Sequence, residues 1–183
     1  MTSAHHQHHA HGHIEYRFCP RCGGALEKRS IKALEPKRLV CQACSFIFYQ
    51  DPKVVAGTIF TLNGGVVLLK RGVEPSLGKW VFPGGYVDRG ESVQEAAVRE
   101  TLEESRLQVE LDGLIDVYSY PKSPHIIIVY RAHITGGELA AGDESVAAAT
   151  FDCNEIPWSD LAFDSTRDAL TDYIKLYLKK ESC

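Results

Sequence analysis

The chain has 183 residues, 44% of them hydrophobic and 24% charged, with a formal net charge of −4. These proportions fit a folded globular protein of one domain with at most a small appendage. A net negative charge argues against a chain that grips a nucleic-acid backbone. The longest apolar run, "IIIVY" at 126–130, is strand-sized and far below the roughly 18 residues of a membrane span. The polar N-terminus lacks the apolar segment of a secretory signal, so the expectation is a soluble, cytoplasmic protein with no membrane partner.

Residues 1–17 open with "MTSAHHQHHAHGH", which holds six of the eight histidines. This reads as a disordered, metal-attracting tail, with an expression tag as the alternative. Residues 18–50 carry "CPRC" (Cys19, Cys22) and "CQAC" (Cys41, Cys44), with eighteen residues between the two pairs. Two tight Cys-x-x-Cys knuckles supply the four soft ligands that tetrahedral Zn²⁺ takes, and a segment this short gains order from metal ligation. A disulfide framework is the competing reading. Lys28, Arg29, Lys32, Lys37 and Arg38 outweigh Glu27 and Glu35 between the knuckles. That excess is mild, and a structural or dimer-forming ribbon is favoured over a nucleic-acid contact. Cys153 is expected as an ordinary core thiol and Cys183 as a tail residue.

From residue 51 to 183 the texture is that of a second domain. "VVAGTIFTL" (54–62) and "GVVLLKR" (65–71) are β-branched runs joined through Asn63-Gly64, a tight-hairpin signal. "WVF" (80–82) is a short strand leading into Pro83-Gly84-Gly85, and "LIDVYSY" (114–120) and "HIIIVYRAHI" (125–134) are further strands. The Gly-rich stretch "TGGELAAGDES" reads as a loop, "ATFDC" as a strand, and "EIPWSDLAF" as a turn. Residues 166–180 form an amphipathic helix, with Ser165 and Asp168 as a capping pair and Leu170, Ile174, Tyr177 and Leu178 as its apolar stripe. Strands mixed with a few helices suggest an α/β layered domain.

The helix at about 92–105 carries the chemistry. Ser92 and Glu95 fit a capping box. Val98, Thr101 and Leu102 fall on a face that can pack on a sheet. Glu100, Glu103 and Glu104 of "RETLEE" share roughly the opposite face, with Ala96 and Ala97 beside them leaving room for a ligand. Like charges at such spacings destabilise an isolated helix by about 0.2–0.5 kcal/mol per pair. A solvated acidic face is the bland reading. The Pro-Gly-Gly turn just upstream favours another, in which a glycine carbonyl and clustered carboxylates offer hard oxygen ligands to Mg²⁺.

The stretch "GYVDRGESVQEAAVRETLEESRL", Gly85 to Leu107, resembles the Nudix box, G-x5-E-x7-R-E-U-x-E-E-x-G-U with U aliphatic. Gly85, Glu91, Arg99, Glu100, Glu103, Glu104 and Leu107 fall on its slots. Thr101 stands in an aliphatic slot, and Arg106 stands where the box has the glycine that ends the helix in a left-handed conformation. The resemblance implies a Nudix hydrolase, an α/β/α sandwich with a mixed sheet, here preceded by a small zinc ribbon. It implies Glu100, Glu103, Glu104 and the Gly85 carbonyl as ligands of catalytic Mg²⁺ or Mn²⁺, with Arg99 and Glu91 orienting the carboxylates. By the same resemblance the base that activates water is Glu103, Glu104 or the loop residue Glu144. Zn²⁺ in the ribbon is structural.

A zinc ribbon followed by this box is similar to the branch that includes the NADH pyrophosphatases. The S-Q-P-W-P-F-P-x-S array of that branch is missing from "LIDVYSYPKSPHIIIVY". The plant chloroplast ADP-ribose/FAD diphosphatases and their bacterial relatives resemble the chain more closely. That resemblance implies hydrolysis of FAD or ADP-ribose to AMP plus FMN or ribose 5-phosphate. Tyr118, Tyr120 and Phe82 are candidate stacking surfaces and Arg71 a phosphate contact. The alternatives are an NADH pyrophosphatase, a nucleoside triphosphate house-cleaning hydrolase, a remover of nucleotide caps from RNA, and a catalytically silent nucleotide-sensing regulator. The related branch tends to dimerise, which extends the expectation of a homodimer to this chain.

Overall fold

The computed structural model describes residues 16–178, so the expectations for the His-rich stretch and for Cys183 lie outside the described residues. The chain forms two compact units, with the division between Asp51 and Pro52. No helix among the described residues is long and apolar enough to cross a membrane.

The first unit is a three-stranded antiparallel meander: β1 (Leu26–Arg29), β2 (Arg38–Cys41) and β3 (Ile47–Phe48). Its apolar core is little more than Cys19, Val40 and Cys41, too small to order such a segment by burial alone.

The second unit holds two sheets. One is mixed, in the order β8 (Gly84–Tyr86), β4 (Lys53–Ile59), β10 (His125–Gly137), β9 (Leu107–Ser119), with β10 parallel to β4 and the other pairs antiparallel. The other has the order β11 (Ser145–Phe151), β6 (Gly65–Arg71), β5 (Thr61–Leu62), with β7 (Trp80–Val81) also paired to β6. Asn63 and Gly64, at φ 52° and 88°, make the expected tight turn between β5 and β6. The run expected as one strand at 54–62 breaks at Phe60, after which the chain joins the second sheet. Strands β9 and β10 are longer than expected, taking in 107–113 and the first glycines of the Gly-rich stretch. Cys153 departs from its expectation: it is half-buried and disulfide-bonded.

Alternation along β4 defines the layers. Ala56 and Thr58 face helix α1 (Val93–Ser105), where Ala56 packs on Ala96 and Ala97 and Thr58 meets Thr101. Ile59, of opposite parity, joins Val66, Leu68, Phe82, Ile127 and Val129 in the main core, with Ala169, Leu170 and Tyr173 of helix α2 (Asp164–Tyr177). The mixed sheet therefore lies between α1 on one face and α2 with the second sheet on the other, an α/β/α arrangement.

Several packing expectations are corrected by this geometry. Ala96 and Ala97 are fully buried against the sheet, while Leu102 is 43% exposed. The buried stripe of α1 is Ala96, Ala97, Thr101 and Ser105, small side chains that bring helix and sheet close. The hydroxyl of Thr101, in its aliphatic slot, donates to the Ala97 carbonyl at 2.7 Å and lies 2.6 Å from the Thr58 hydroxyl, so a buried polar atom is satisfied. Helix α2 starts at Asp164 with Phe163 as its N-cap and no side-chain capping bond, so Ser165 and Asp168 are not a capping pair. Phe82 and Tyr118 are buried in the main core, with the Tyr118 hydroxyl donating to Asp172 at 3.0 Å.

Candidate active site and metal centre

In the first unit the cysteine knuckles converge. Cys19, Cys22, Cys41 and Cys44 bring their sulfurs within 4.8 Å of one another, the only set of three or more His, Cys, Asp or Glu ligand atoms among the described residues to do so. Their nearest separations are 3.3, 3.5 and 3.8 Å. A tetrahedral ion with Zn–S bonds of about 2.3 Å separates its sulfurs by about 3.8 Å, so the set fits zinc. A disulfide would hold two sulfurs near about 2.0 Å, and all four thiols are free. Gly24 lets the knuckle close: a Cβ there would lie 3.0 Å from the Cys41 sulfur and 2.9 Å from Ala43 Cβ. The backbone amide of Cys44, with that of Ala43, lowers the Cys41 thiol to about 6, which favours the thiolate that a metal requires.

The second unit builds its site along β8 and α1. The capping box forms as expected: the Ser92 hydroxyl accepts from the Glu95 amide at 3.2 Å, and the Glu95 carboxylate accepts from the Ser92 amide at 2.8 Å. At the other end Arg106 takes the left-handed conformation, φ 62°, that glycine normally supplies. This costs about 1–2 kcal/mol in a non-glycine residue. The Gly-rich stretch then caps the helix. Ala140 and Gly142 donate their amides to the Ser105 and Glu104 carbonyls at 3.0 and 2.8 Å, satisfying orphan acceptors of the last turn. The segment leading to Glu144 is thereby tied to α1, and the Glu144 carbonyl accepts from the Gly72 amide at 2.7 Å.

Arg99 organises the carboxylates. Its Nε and Nη2 grip Glu91 at 2.7 and 3.0 Å, and Nη1 donates to Glu100 at 2.8 Å and Glu103 at 3.0 Å. A further contact runs from Nη2 to the Tyr86 carbonyl at 3.0 Å. The fork-shaped guanidinium suits this role because it presents several donors in one plane. Its hydrogen bond to Glu91 holds that carboxyl below the usual range, and the same bond raises the arginine further above its own. Gly85 sits against Glu100 so closely that a Cβ there would lie 2.5 Å from both carboxylate oxygens. Glu104 lies farther along, its carboxylate accepting from the Gly84 amide at 2.9 Å.

Glu104 is short of positive charge. Burial first, then repulsion from Glu100 and Glu144, raises its carboxyl to about 7, against the Gly84 amide and a smaller pull from Arg71. Burial likewise raises Glu100, despite its ion pair with Arg99. Three carboxylates that share one guanidinium, with Glu104 left outside its reach, are a donor set that fits a hard divalent cation. All three box glutamates line a cleft of 1350 Å³, together with Gly85, Glu144 and Arg71. Tyr120 is also on the cleft, its hydroxyl donating to Asp168 at 2.6 Å, whereas Tyr118 is in the core. Sequence reasoning missed Tyr86 and His125, whose hydroxyl and Nε2 lie 3.1 Å apart on the cleft wall. It also missed Ser165 and Thr166, which reach the cleft because α2 begins there. No spacing pattern marks either pair.

Comparison with known proteins agrees with both halves. Residues 51–173 match the NUDIX domain family, and residues 17–50 match the zinc-ribbon family described as Nudix N-terminal. An ADP-ribose pyrophosphatase of Methanocaldococcus jannaschii is 36% identical over 157 residues, covering 84% of this chain and 87% of that protein. A NUDIX hydrolase of Nitrosomonas europaea, known from its crystal structure, is 36% identical with a TM-score of 0.83 over 89% of this chain and 93% of the other. An NAD-capped RNA hydrolase NudC of Stutzerimonas stutzeri is 25% identical over 91% of this chain, which spans 57% of that relative's length.

Proposed function

The chain belongs to the NUDIX domain family, with that family's own N-terminal zinc ribbon, and from that premise we propose that it hydrolyses the diphosphate of ADP-ribose or FAD. The products would be AMP and ribose 5-phosphate, or AMP and FMN. The observation that carries this reading is the Arg99-organised set of carboxylates, Glu100, Glu103 and Glu104, on a cleft of 1350 Å³. That volume exceeds the roughly 300–1,000 Å³ of ordinary small-molecule clefts and suits a substrate with a group on each side of the diphosphate. The name borne by the M. jannaschii relative puts ADP-ribose first among these substrates.

In this reading Glu100, Glu103, Glu104 and the Gly85 carbonyl hold Mg²⁺ or Mn²⁺, and Cys19, Cys22, Cys41 and Cys44 hold structural zinc. Divalent cations at the carboxylates would supply charge neutralisation for the diphosphate and acidify the attacking water. The protein's own part is positional. Arg99, anchored on Glu91, fixes the bearings of Glu100 and Glu103, while Gly84 and Gly85 let the substrate's phosphates approach the backbone. A carboxylate accepts the proton of the attacking water. Glu103, Glu104 and Glu144 stand on the same cleft as the candidates for that role.

The test is hydrolysis of FAD, ADP-ribose, NADH, NAD, 8-oxo-dGTP and NAD-capped RNA with Mg²⁺ or Mn²⁺, read as AMP from the first four, 8-oxo-dGMP from the fifth and NMN from the last, using Glu103→Gln as control. AMP from ADP-ribose or FAD, absent in the variant, is the expected result. Preference for the capped RNA would move the chain to the activity named for the S. stutzeri relative. Nucleotide binding without turnover would make it a sensor. Homodimerisation belongs to the same reading, and the molar mass in solution tests it.

A further inference from the structure

Arg106 stands where the box has glycine, and it takes the glycine conformation at φ 62°. That strain is common to every side chain with a Cβ, so it does not account for an arginine. The guanidinium makes a single hydrogen bond among the described residues, from Nη2 to Asp143 at 3.2 Å. Its side chain is half exposed and that of Asp143 almost wholly so. Both residues line the cleft with Glu103, Glu104 and Glu144.

Asp143 leads into Glu144, and the Glu144 carboxylate repels those of Glu100 and Glu104. Until a cation binds, this repulsion works to lift residues 142–145 off the helix. The backbone resists it, since the Gly142 amide donates to the Glu104 carbonyl and the Gly72 amide to the Glu144 carbonyl. Those bonds act on peptide groups. Among the described residues, the Arg106–Asp143 pair is the one side-chain tie between α1 and this segment. A glycine at 106 would leave it out.

We propose that Arg106 is a positioning residue: through Asp143 it holds residues 142–145 on α1 and keeps Glu144 beside the metal-binding carboxylates. This rests on the reading of Glu100, Glu103 and Glu104 as ligands of a divalent cation, and it adds Glu144 to the charge that such a cation meets.

Removing the guanidinium separates this role from plain electrostatics by sign. A cation near a metal site repels the incoming ion, so its loss on that ground alone strengthens binding. A tie that keeps a fourth carboxylate in place adds to the ligand charge on which divalent affinity depends. Loss of the tie therefore weakens binding.

The experiment is calorimetric titration of Mn²⁺ into the full chain with its zinc retained. Arg106→Gly should bind Mn²⁺ about threefold more weakly, within what an exposed ion pair supplies. Its melting temperature should hold or rise, because glycine takes φ 62° without strain. Arg106→Lys keeps the charge and should recover most of the affinity. In a Glu144→Gln background, which itself binds more weakly, Arg106→Gly should cause no further loss. Asp143→Asn breaks the same tie without touching the helix end, and adding Arg106→Gly to it should weaken binding no further. The His-rich stretch is common to all these proteins, so the differences report the cleft. Equal or tighter binding by Arg106→Gly would overturn the role, as would the same loss in the Glu144→Gln background. Glu103→Gln is the control for the metal site itself. If it binds Mn²⁺ as the unsubstituted chain does, the metal reading has failed and the tie falls with it. A weakened Glu103→Gln beside an unaffected Arg106→Gly removes the tie alone.

Discussion

Ionising Glu104 costs the folded protein stability. Burial and like charges raise this carboxyl from 4.5 to about 7. In the unfolded chain the group releases its proton near 4.5, whereas the folded protein keeps it until about 7. Raising the pH between these values therefore favours unfolding, and above about pH 7 the penalty is constant. At about 1.36 kcal/mol per pKa unit the penalty is about 3 kcal/mol, or roughly 6–12 °C in melting temperature for a chain of this size. Glu104→Gln removes the ionisation while its side-chain oxygen can still accept from the Gly84 amide. Thermal unfolding would be followed from about pH 5 to 8.5 in buffer free of Mg²⁺ and Mn²⁺, without chelator so that the ribbon keeps its zinc. The native chain should lose stability relative to Glu104→Gln across this range, with the variant melting higher at the alkaline end. Added Mn²⁺ should raise the native chain and leave the variant nearly unmoved. Parallel pH curves for the two proteins would refute the claim that Glu104 is an uncompensated buried carboxylate.

Three further variants probe the cleft and the cysteine cluster. Glu103→Gln should lower turnover by orders of magnitude and leave the melting temperature within a few degrees, and native turnover in this variant would remove Glu103 from the chemistry. Gly85→Ala would push a methyl against the Glu100 carboxylate, so turnover should fall at least tenfold and stability by about 1–3 kcal/mol, as read by steady-state kinetics and denaturant titration. Replacing Cys19 and Cys41 together by Ser should release zinc from the purified protein, measured by elemental analysis, and unfold residues 18–50 first in hydrogen exchange; an unchanged zinc content would sink the four-cysteine site.

The parts of this structure that were legible in the sequence are those where local chemistry decides. The Ser92–Glu95 box, the Asn63-Gly64 turn and the paired knuckles each need specific residues at fixed spacing, whatever surrounds them. The errors share another origin, because burial is set by what packs opposite. Helical periodicity offered Val98, Thr101 and Leu102 as the sheet-facing set. Thr101 is buried against Thr58 and Val98 packs on a core cluster, but Leu102 is exposed, because β4 presents Ala56 and Thr58 at close range and small side chains fit between. The same close approach turned Ala96 and Ala97 away from the ligand side. Helix α2 starts at Asp164 rather than at residue 166 for a comparable reason. Its start is positioned by the main core and the cleft wall, and a pattern of capping residues carries no information about either.

Arg106 shows how the two kinds of information combine. By local rules a non-glycine residue in that slot predicts either strain or a different helix ending. The helix ends in the left-handed conformation anyway, and the reason lies downstream, in residues 137–142. The amides of Ala140 and Gly142 take carbonyls in the last turn of α1, and Gly137 lies against the Arg106 backbone where no Cβ would fit. The strain at one residue is thus held by a loop whose glycines look, in sequence, like simple flexibility. Since that loop also leads to Glu144, the helix ending and the placement of an acidic group at the cleft are one structural event. Substituting Gly142, whose Cβ would lie 2.8 Å from Glu104 Cα, should therefore lower activity by displacing the cleft carboxylates Glu103 and Glu104 even though residue 142 carries no reactive group. Turnover that survives Gly142→Ala at the native level would show that the loop and the site are independent.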